Sequence, residues 1–305
     1  MKETVEISDL RRVLRRLAAS LVLAALFVAV SVWRSAGLDI TRTDLPVANL
    51  PPALDGLRIA QITDLHSSQY GAGQAGLVDP IRAFQPDIIV LTGDFIDGNR
   101  PLTQPCKELA QALVQIAPVY RVRGNHEYYQ GFAAAAEFDK TMAACGVRLL
   151  DNSSAVLSKG GSEYLLSGMD DVLRRGGDLA AVNDRDLAEY RTACDFEDQI
   201  LATRPSSSFP LRIMLCHRPY YRDLWQRDGY QVALSGHLHG LQVRLPMIGG
   251  VPLLANRYFP DADAGLYVRG DLALYLSRGL DTRSALHGIR LNNRPELALL
   301  TVTRK

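Results

Sequence analysis

Cysteine is scarce. Cys106, Cys145, Cys194 and Cys216 are the only four in 305 residues, and none forms a CxxC pair. That argues against both a zinc finger and a disulfide framework. Aromatic residues make up 7% of the chain, and no internal repeat or low-complexity tract stands out. Charge of one sign is also lacking, with 34 basic residues against 33 acidic. A strongly basic nucleic-acid binder is thereby disfavoured, and no nucleic-acid partner is expected. At 47% hydrophobic and 22% charged, the composition is that of a folded chain, not a disordered one. The length allows one large domain or two small ones.

One long apolar run is present. Leu17 to Trp33 carries no charge, with Arg11, Arg12, Arg15 and Arg16 before it and Arg34 closing it. A spanning helix needs roughly 17–25 apolar residues, whereas a secretory h-region is usually about 7–15. No A-x-A cleavage site follows, so an uncleaved signal-anchor over 17–33 is expected, behind a basic cytoplasmic segment over 1–16. The arginine cluster favours a cytoplasmic N-terminus and an extracytoplasmic body. Residues 11–15, RRVLR, loosely resemble a twin-arginine export signal. The first 34 residues hold six basic and three acidic groups, which leaves a near-neutral body of 28 basic and 30 acidic.

That body alternates strands with helices. A linker and first strand are expected over 34–56, then one domain over 57–305. Strands are read at 38–46, 57–63, 147–152, 163–169, 211–217, 231–237, 251–255, 272–278 and 297–303, with a strand and turn over 87–94 and a strand then loop over 118–127. Helical spacing is read at 75–84, 106–116, 133–146 and 184–201. Strand–helix alternation early and strand-rich sequence late predict an α/β sandwich of two packed mixed sheets flanked by helices.

Polar residues cluster where strands end. Asp64 and His66 follow one strand in TDLH, and Asp94 follows the next in TGDFID. Asn125 and His126 follow a third in RGNHE, His217 ends LRIMLCH, and His237 and His239 lie in SGHLHG. Ligands in open α/β sheets gather at carboxyl strand ends. Five of the six histidines fall at such ends, and only His287 does not. Carboxylate and imidazole donors suit divalent ions such as Mn²⁺, Fe²⁺ and Zn²⁺. Two ions about 3.5–4 Å apart can hold a bridging hydroxide and clamp a phosphate.

The ordered set DxH, GDxxD, GNHE, a lone histidine and GHxH resembles the calcineurin-like metallophosphoesterase superfamily over about 57–302. The anchor and the tail resemble its membrane-associated bacterial phosphodiesterase branch. The resemblance implies a metallophosphoesterase sandwich holding two divalent ions, Mn, Fe or Zn. It makes Asp64, His66 and His239 ligands of one ion, Asn125, His217 and His237 ligands of the other, and Asp94 the bridge. His126 becomes the catalytic histidine that assists the leaving group. It further implies a phosphodiester as substrate, small or lipidic, with a lipid-linked sugar-nucleotide pyrophosphatase or a non-catalytic scaffold as rivals. A departure stands at GHLHGLQ, where Leu238 and Leu241 replace the more usual Thr and Gly and suggest an apolar pocket rim.

Other residues invite simpler readings. Asp97 reads as a loop hydrogen-bonder, Glu127 as a residue orienting a neighbour, Cys216 as strand packing and His287 as structural. Gly71, Gly73 and Gly76 spell GxGxxG, but DLH intervenes between strand and glycines, so a dinucleotide site is rejected. Arg218, Arg257 and Arg290 are candidates to grip phosphate oxygens.

Overall fold

The computed structural model describes residues 2–35, 37–171, 185–203, 208–245, 247–251, 262–282 and 290–305. Arg257, His287 and residues 252–255 of the strand expected at 251–255 lie outside them.

Two six-stranded sheets make up the body. The first contains β1 (Asp39–Val47), β2 (Leu57–Ile62), β3 (Ile88–Thr92), β4 (Val119–Val122) and β5 (Arg148–Leu149), with β14 (Glu296–Arg304) between β1 and β2. The second contains β6 (Ser153–Lys159), β7 (Ser162–Met169), β8 (Arg212–Cys216), β9 (Val232–Ser235), β12 (Gly265–Arg269) and β13 (Leu272–Leu276). A short antiparallel ribbon joins β10 (Val243–Leu245) to β11 (Gly249–Val251). The described α-helices are α1 (Lys2–Ser35), α2 (Ala75–Phe84), α3 (Thr103–Leu113), α4 (Phe132–Ala144), α5 (Arg185–Thr203) and α6 (Arg222–Arg227).

Strand alternation builds the layers. In β2, Leu57 and Ile59 point between the sheets, while Ala60 and Ile62 point outward. In β3, Ile88 and Val90 take the inner side and Ile89 and Leu91 the outer. β8 repeats this, with Ile213 and Leu215 inward and Met214 and Cys216 outward. A period of two on near-continuous apolar runs is what a parallel sheet covered on both faces requires. Leu77, Leu109 and Phe138 of α2, α3 and α4 cover the first sheet. Phe196 and Trp225 of α5 and α6 cover the second.

The parallel strands β2, β3, β4 and β5 run side by side, as do β7, β8, β9 and β13. Their carboxyl ends present the loops of the site.

Three expectations need correction. The run 147–152 contributes only the two residues of β5, on the edge of the first sheet. The hairpin partner of β7 is instead β6, with Lys159 opposite Ser162. Gly160 and Gly161 both have positive φ (58° and 83°), which a two-residue hairpin turn of this hand demands. Strand β12, unforeseen, pairs with β13 across a turn at Gly270. The helix expected over 17–33 extends from Lys2 to Ser35, so the basic segment before the apolar run is helical too.

Among the described residues, α1 alone is long and apolar enough to cross a membrane. Most of its stretch Arg12–Ser35 lacks cover from the rest of the chain, and among the described residues only Ser31, near its end, is buried.

Candidate metal centre

Backbone strain marks the site first. Asp64, His66, Asp94, His237 and His239 all have positive φ, between 45° and 73°. Non-glycine residues rarely adopt that conformation, and where they do the surrounding structure must enforce it. Here the loops lock one another: Asp64 N donates to Gly93 O at 3.0 Å and His66 N to Asp94 O at 3.0 Å. Gly236 N donates to His217 O at 3.1 Å.

Six of the seven expected ligand residues come together with His126, and Asn125 directly precedes that histidine. Asp64, His66 and His239 form one group whose donor atoms lie within 4.8 Å of one another, and Asp94, His217 and His237 form a second. Asp94 also groups with His66 and His126, so it stands between the two sets. His239 Nε2 is 3.3 Å from Asp64 Oδ1, and His217 Nε2 is 3.2 Å from Asp94 Oδ2. His66 Nε2 is 3.6 Å from the same Asp94 oxygen. His237 Nδ1 lies 3.2 Å from His217 Nε2, two ring nitrogens converging on one point. Asn125 directs its amide N–H to Tyr129 Oη at 3.0 Å, while its buried Oδ1 has no hydrogen-bond partner among the described residues. A buried acceptor without a donor is costly unless something electropositive meets it. The donor set of carboxylates, imidazoles and one amide oxygen fits a divalent cation of borderline hardness.

The electrostatics point the same way. Burial and the neighbouring Asp94 set His66, and burial wins, lowering it to about 4 and keeping its ring neutral. Burial also lowers His237, helped by Arg218 and His217. At His217 burial is outweighed by Asp94 and Asp64, and the ring is raised to about 10. Both carboxylates are held low against burial, Asp64 chiefly by His239 and Asp94 chiefly by His217. Two ionised carboxylates in a buried pocket attract a cation as they attract the His217 proton.

Support comes from behind. His217 Nδ1 faces Thr92 O at 2.9 Å, which turns Nε2 into the site. Glu127 accepts from Asp94 N, Phe95 N and Gly124 N at 3.0, 2.9 and 2.8 Å, the orienting role expected of it. Asp97 Oδ1 accepts from Asn99 N at 3.0 Å, as a loop hydrogen-bonder should. Cys216 packs in the β8 core.

His126 donates its backbone N–H to Asp94 Oδ1 at 2.8 Å, and its ring stacks on Tyr129 with centroids 4.3 Å apart. Gly98 N donates to its Nδ1 at 3.2 Å, so a neutral ring carries its hydrogen on Nε2.

Of the candidate arginines, Arg218 is held by Asp171 at 2.8 Å and reaches His237 Nε2 at 3.1 Å. Arg290 donates to Asp281 O and Gly279 O and lies 3.4 Å from His239 Nδ1. Its Nη1 has no hydrogen-bond partner among the described residues. Leu238 does not form an apolar rim. It is buried against Ala262 and Leu276, with Leu241 packed alongside.

Tyr129, Asp171 and Asn293 were not foreseen. Asn293 donates to His239 O at 2.7 Å. Asp171 follows the end of β7, so the strand-end rule applied once more would have found it. Asn293 offers no comparable sequence signal.

The sequence pattern of the Calcineurin-like phosphoesterase family matches residues 57–241. The chain belongs to that family. It is a metal-dependent phosphoric ester hydrolase, and its two mixed sheets are the fold expected of a calcineurin-like phosphoesterase. Among curated proteins, it is 26% identical over 80% of its length to Phosphodiesterase YaeI of Escherichia coli, covering 81% of that protein. It is 27% identical over 87% of its length to the uncharacterized metallophosphoesterase YkuE of Bacillus subtilis, covering 85% of it. A Transmembrane protein with metallophosphoesterase domain from Bos taurus is 27% identical over 86% of this chain, which covers 56% of that protein.

Proposed function

We propose that this phosphoesterase is a membrane-anchored phosphodiesterase with two divalent ions. Asp64, His66 and His239 hold one, Asn125, His217 and His237 the other, and Asp94 bridges them. The observation that carries the reading is the grouping of Asp64 with His66 and His239 and of Asp94 with His217 and His237, with Asp94 also grouped with His66. When bound, such ions neutralise phosphoryl charge and acidify a water for in-line attack. The chain's own residues do the rest. His126, with Nδ1 accepting from Gly98 N, directs a hydrogen on Nε2 to the departing oxygen. Arg290, with Nη1 uncommitted, is the better placed arginine for a phosphate oxygen. A cavity of about 230 Å³ opens beside His126, lined in part by Ile96, Pro101 and Phe138, and suits an apolar leaving group.

The deciding experiment pairs His126→Ala with two substrates. Hydrolysis of an alkyl phosphodiester should fall about 10²–10⁴-fold. Hydrolysis of bis-p-nitrophenyl phosphate, whose leaving group needs little protonation, should fall much less, with metal content unchanged. Equal losses on both substrates would remove His126 from the proton-donor role.

The exposed apolar surface of α1, with Leu21 70% and Leu23 66% exposed, supports the anchor, because such a surface is stable only when something apolar covers it. Arg12, Arg15 and Arg16 at its amino-terminal side support a body outside the cytoplasm. A C-terminal alkaline phosphatase fusion should be active and a cytoplasmic reporter at the same point silent. The reverse result would place the site inside.

A further inference from the structure

The last turn of α1 does not end free. Asn292 Nδ2 donates to Ser31 Oγ at 3.0 Å, Asn293 N to Ser35 Oγ at 3.1 Å, and Arg294 Nε to the Arg34 carbonyl at 2.7 Å. These bonds dock the end of the helix against the segment that leads into β14. Between them lies a cavity of about 360 Å³ lined by Trp33, Arg34, Asp39, Arg278, Asn292 and Arg294. It is separate from the metal centre, and none of the catalytic candidates lines it.

The charge in this cavity is unbalanced. Arg278 Nη2 donates to Asp39 at 2.7 Å, and its Nε faces Glu296 at 3.3 Å, so that guanidinium is neutralised. Arg34 and Arg294 form no ion pair among the described residues. Arg294 uses only its Nε on the Arg34 carbonyl, which leaves its outer nitrogens for another acceptor. The carboxyl end of a helix repels an anion with roughly half a charge, which two full guanidinium charges outweigh. Trp33 is 74% exposed at the same rim, where an amphipathic ring sits at the boundary between hydrocarbon and headgroups.

We propose that this junction cavity is a binding site for the phosphate of an anionic phospholipid, in the leaflet where α1 emerges. The proposal rests on the anchor reading above. Arg34 and Arg294 hold the phosphate oxygens, Trp33 covers the glycerol and upper acyl region, and the docked helix end places the cavity at headgroup depth.

The test uses the full-length protein in nanodiscs of equimolar phosphatidylcholine and phosphatidylglycerol, followed by gentle detergent release and native mass spectrometry. The wild-type chain should retain phosphatidylglycerol in excess. Arg34→Gln and Arg294→Gln should each lower that excess about fivefold, and Arg34→Lys and Arg294→Lys should largely keep it. Diester hydrolysis by all four variants should match the wild type and report intact folding. Equal retention of both lipids by the wild type would overturn the proposal, as would glutamine variants that bind like the wild type. Displacement of the lipid by inorganic phosphate at comparable concentration would instead assign a free-phosphate site and overturn the lipid assignment. A chain that never enters the discs would overturn the anchor reading, and the lipid site with it. A chain that enters them without lipid preference overturns the lipid site alone.

Discussion

Asp94→Ala should abolish hydrolysis, by about 10³-fold or more, and release bound metal. A loss of that size corresponds to about 4 kcal/mol of transition-state stabilisation, within reach of one carboxylate that bridges two ions as proposed. Asp94 groups both with His217 and His237 and with His66 and His126. One oxygen lies 3.2 Å from His217 Nε2 and 3.6 Å from His66 Nε2, and the other accepts the His126 backbone N–H at 2.8 Å. Asp94→Asn separates charge from shape, because the amide can still accept from His126 N while the negative charge is gone. If the charge holds the metal, the asparagine variant should be nearly as inactive as alanine, with less metal bound per chain than in the wild type. Its stability should change less than that of the alanine variant, which leaves a hole and an orphaned N–H. Metal analysis with a bis-p-nitrophenyl phosphate assay reads all of this, and wild-type turnover in either variant would remove Asp94 from the site.

Much of this arrangement could be read from the sequence because two local signals agree. A β-strand that is apolar on both faces ends abruptly in a polar pair, as LRIAQIT ends in DLH and IIVLT in GD. The run fixes a buried strand, and the break fixes the edge at which its polar residues emerge. Tertiary packing then only has to align carboxyl ends, which parallel neighbours do by construction. What stayed hidden depends on approaches between remote segments. Asn293 serves His239 only because β14 returns beside β2. Tyr129 serves His126 and Asn125 only because the turn after β4 folds tightly. Leu238 looked like a pocket wall, yet the loop after β9 turns it under, into contact with Leu276 of β13. The misread strand at 147–152 had a visible cue: Lys159-Gly160-Gly161-Ser162 is a two-residue hairpin signal, and counting outward from it pairs Ser153 with Gly168.

The tightness of the site gives a test that removes no functional group at all. Gly124 lies between β4 and Asn125, and its φ is not in the left-handed region, so alanine suits its backbone. The space does not allow it. A Cβ there would overlap Asp94 Oδ1 and sit 2.7 Å from Asp94 N and 2.8 Å from His217 Cδ2. Neither neighbour can yield cheaply. Asp94 is held through its own N–H by Glu127 and through Oδ1 by His126, and His217 is held by Thr92 O. One added methyl must therefore displace the carboxylate or spread the two sheets. Overpacking of this kind costs about 1–3 kcal/mol of stability, which a domain of this size survives. The effect on function should be far larger than the effect on folding. Gly124→Ala should retain the circular dichroism of the wild type and melt only a few degrees lower, while activity falls at least about 100-fold, because a misplacement near 1 Å is enough for such a loss. Metal binding should weaken in parallel, although every candidate ligand is still present. An alanine variant with normal metal content and normal turnover would mean that Asp94 and His217 do not meet across Gly124 in the working enzyme.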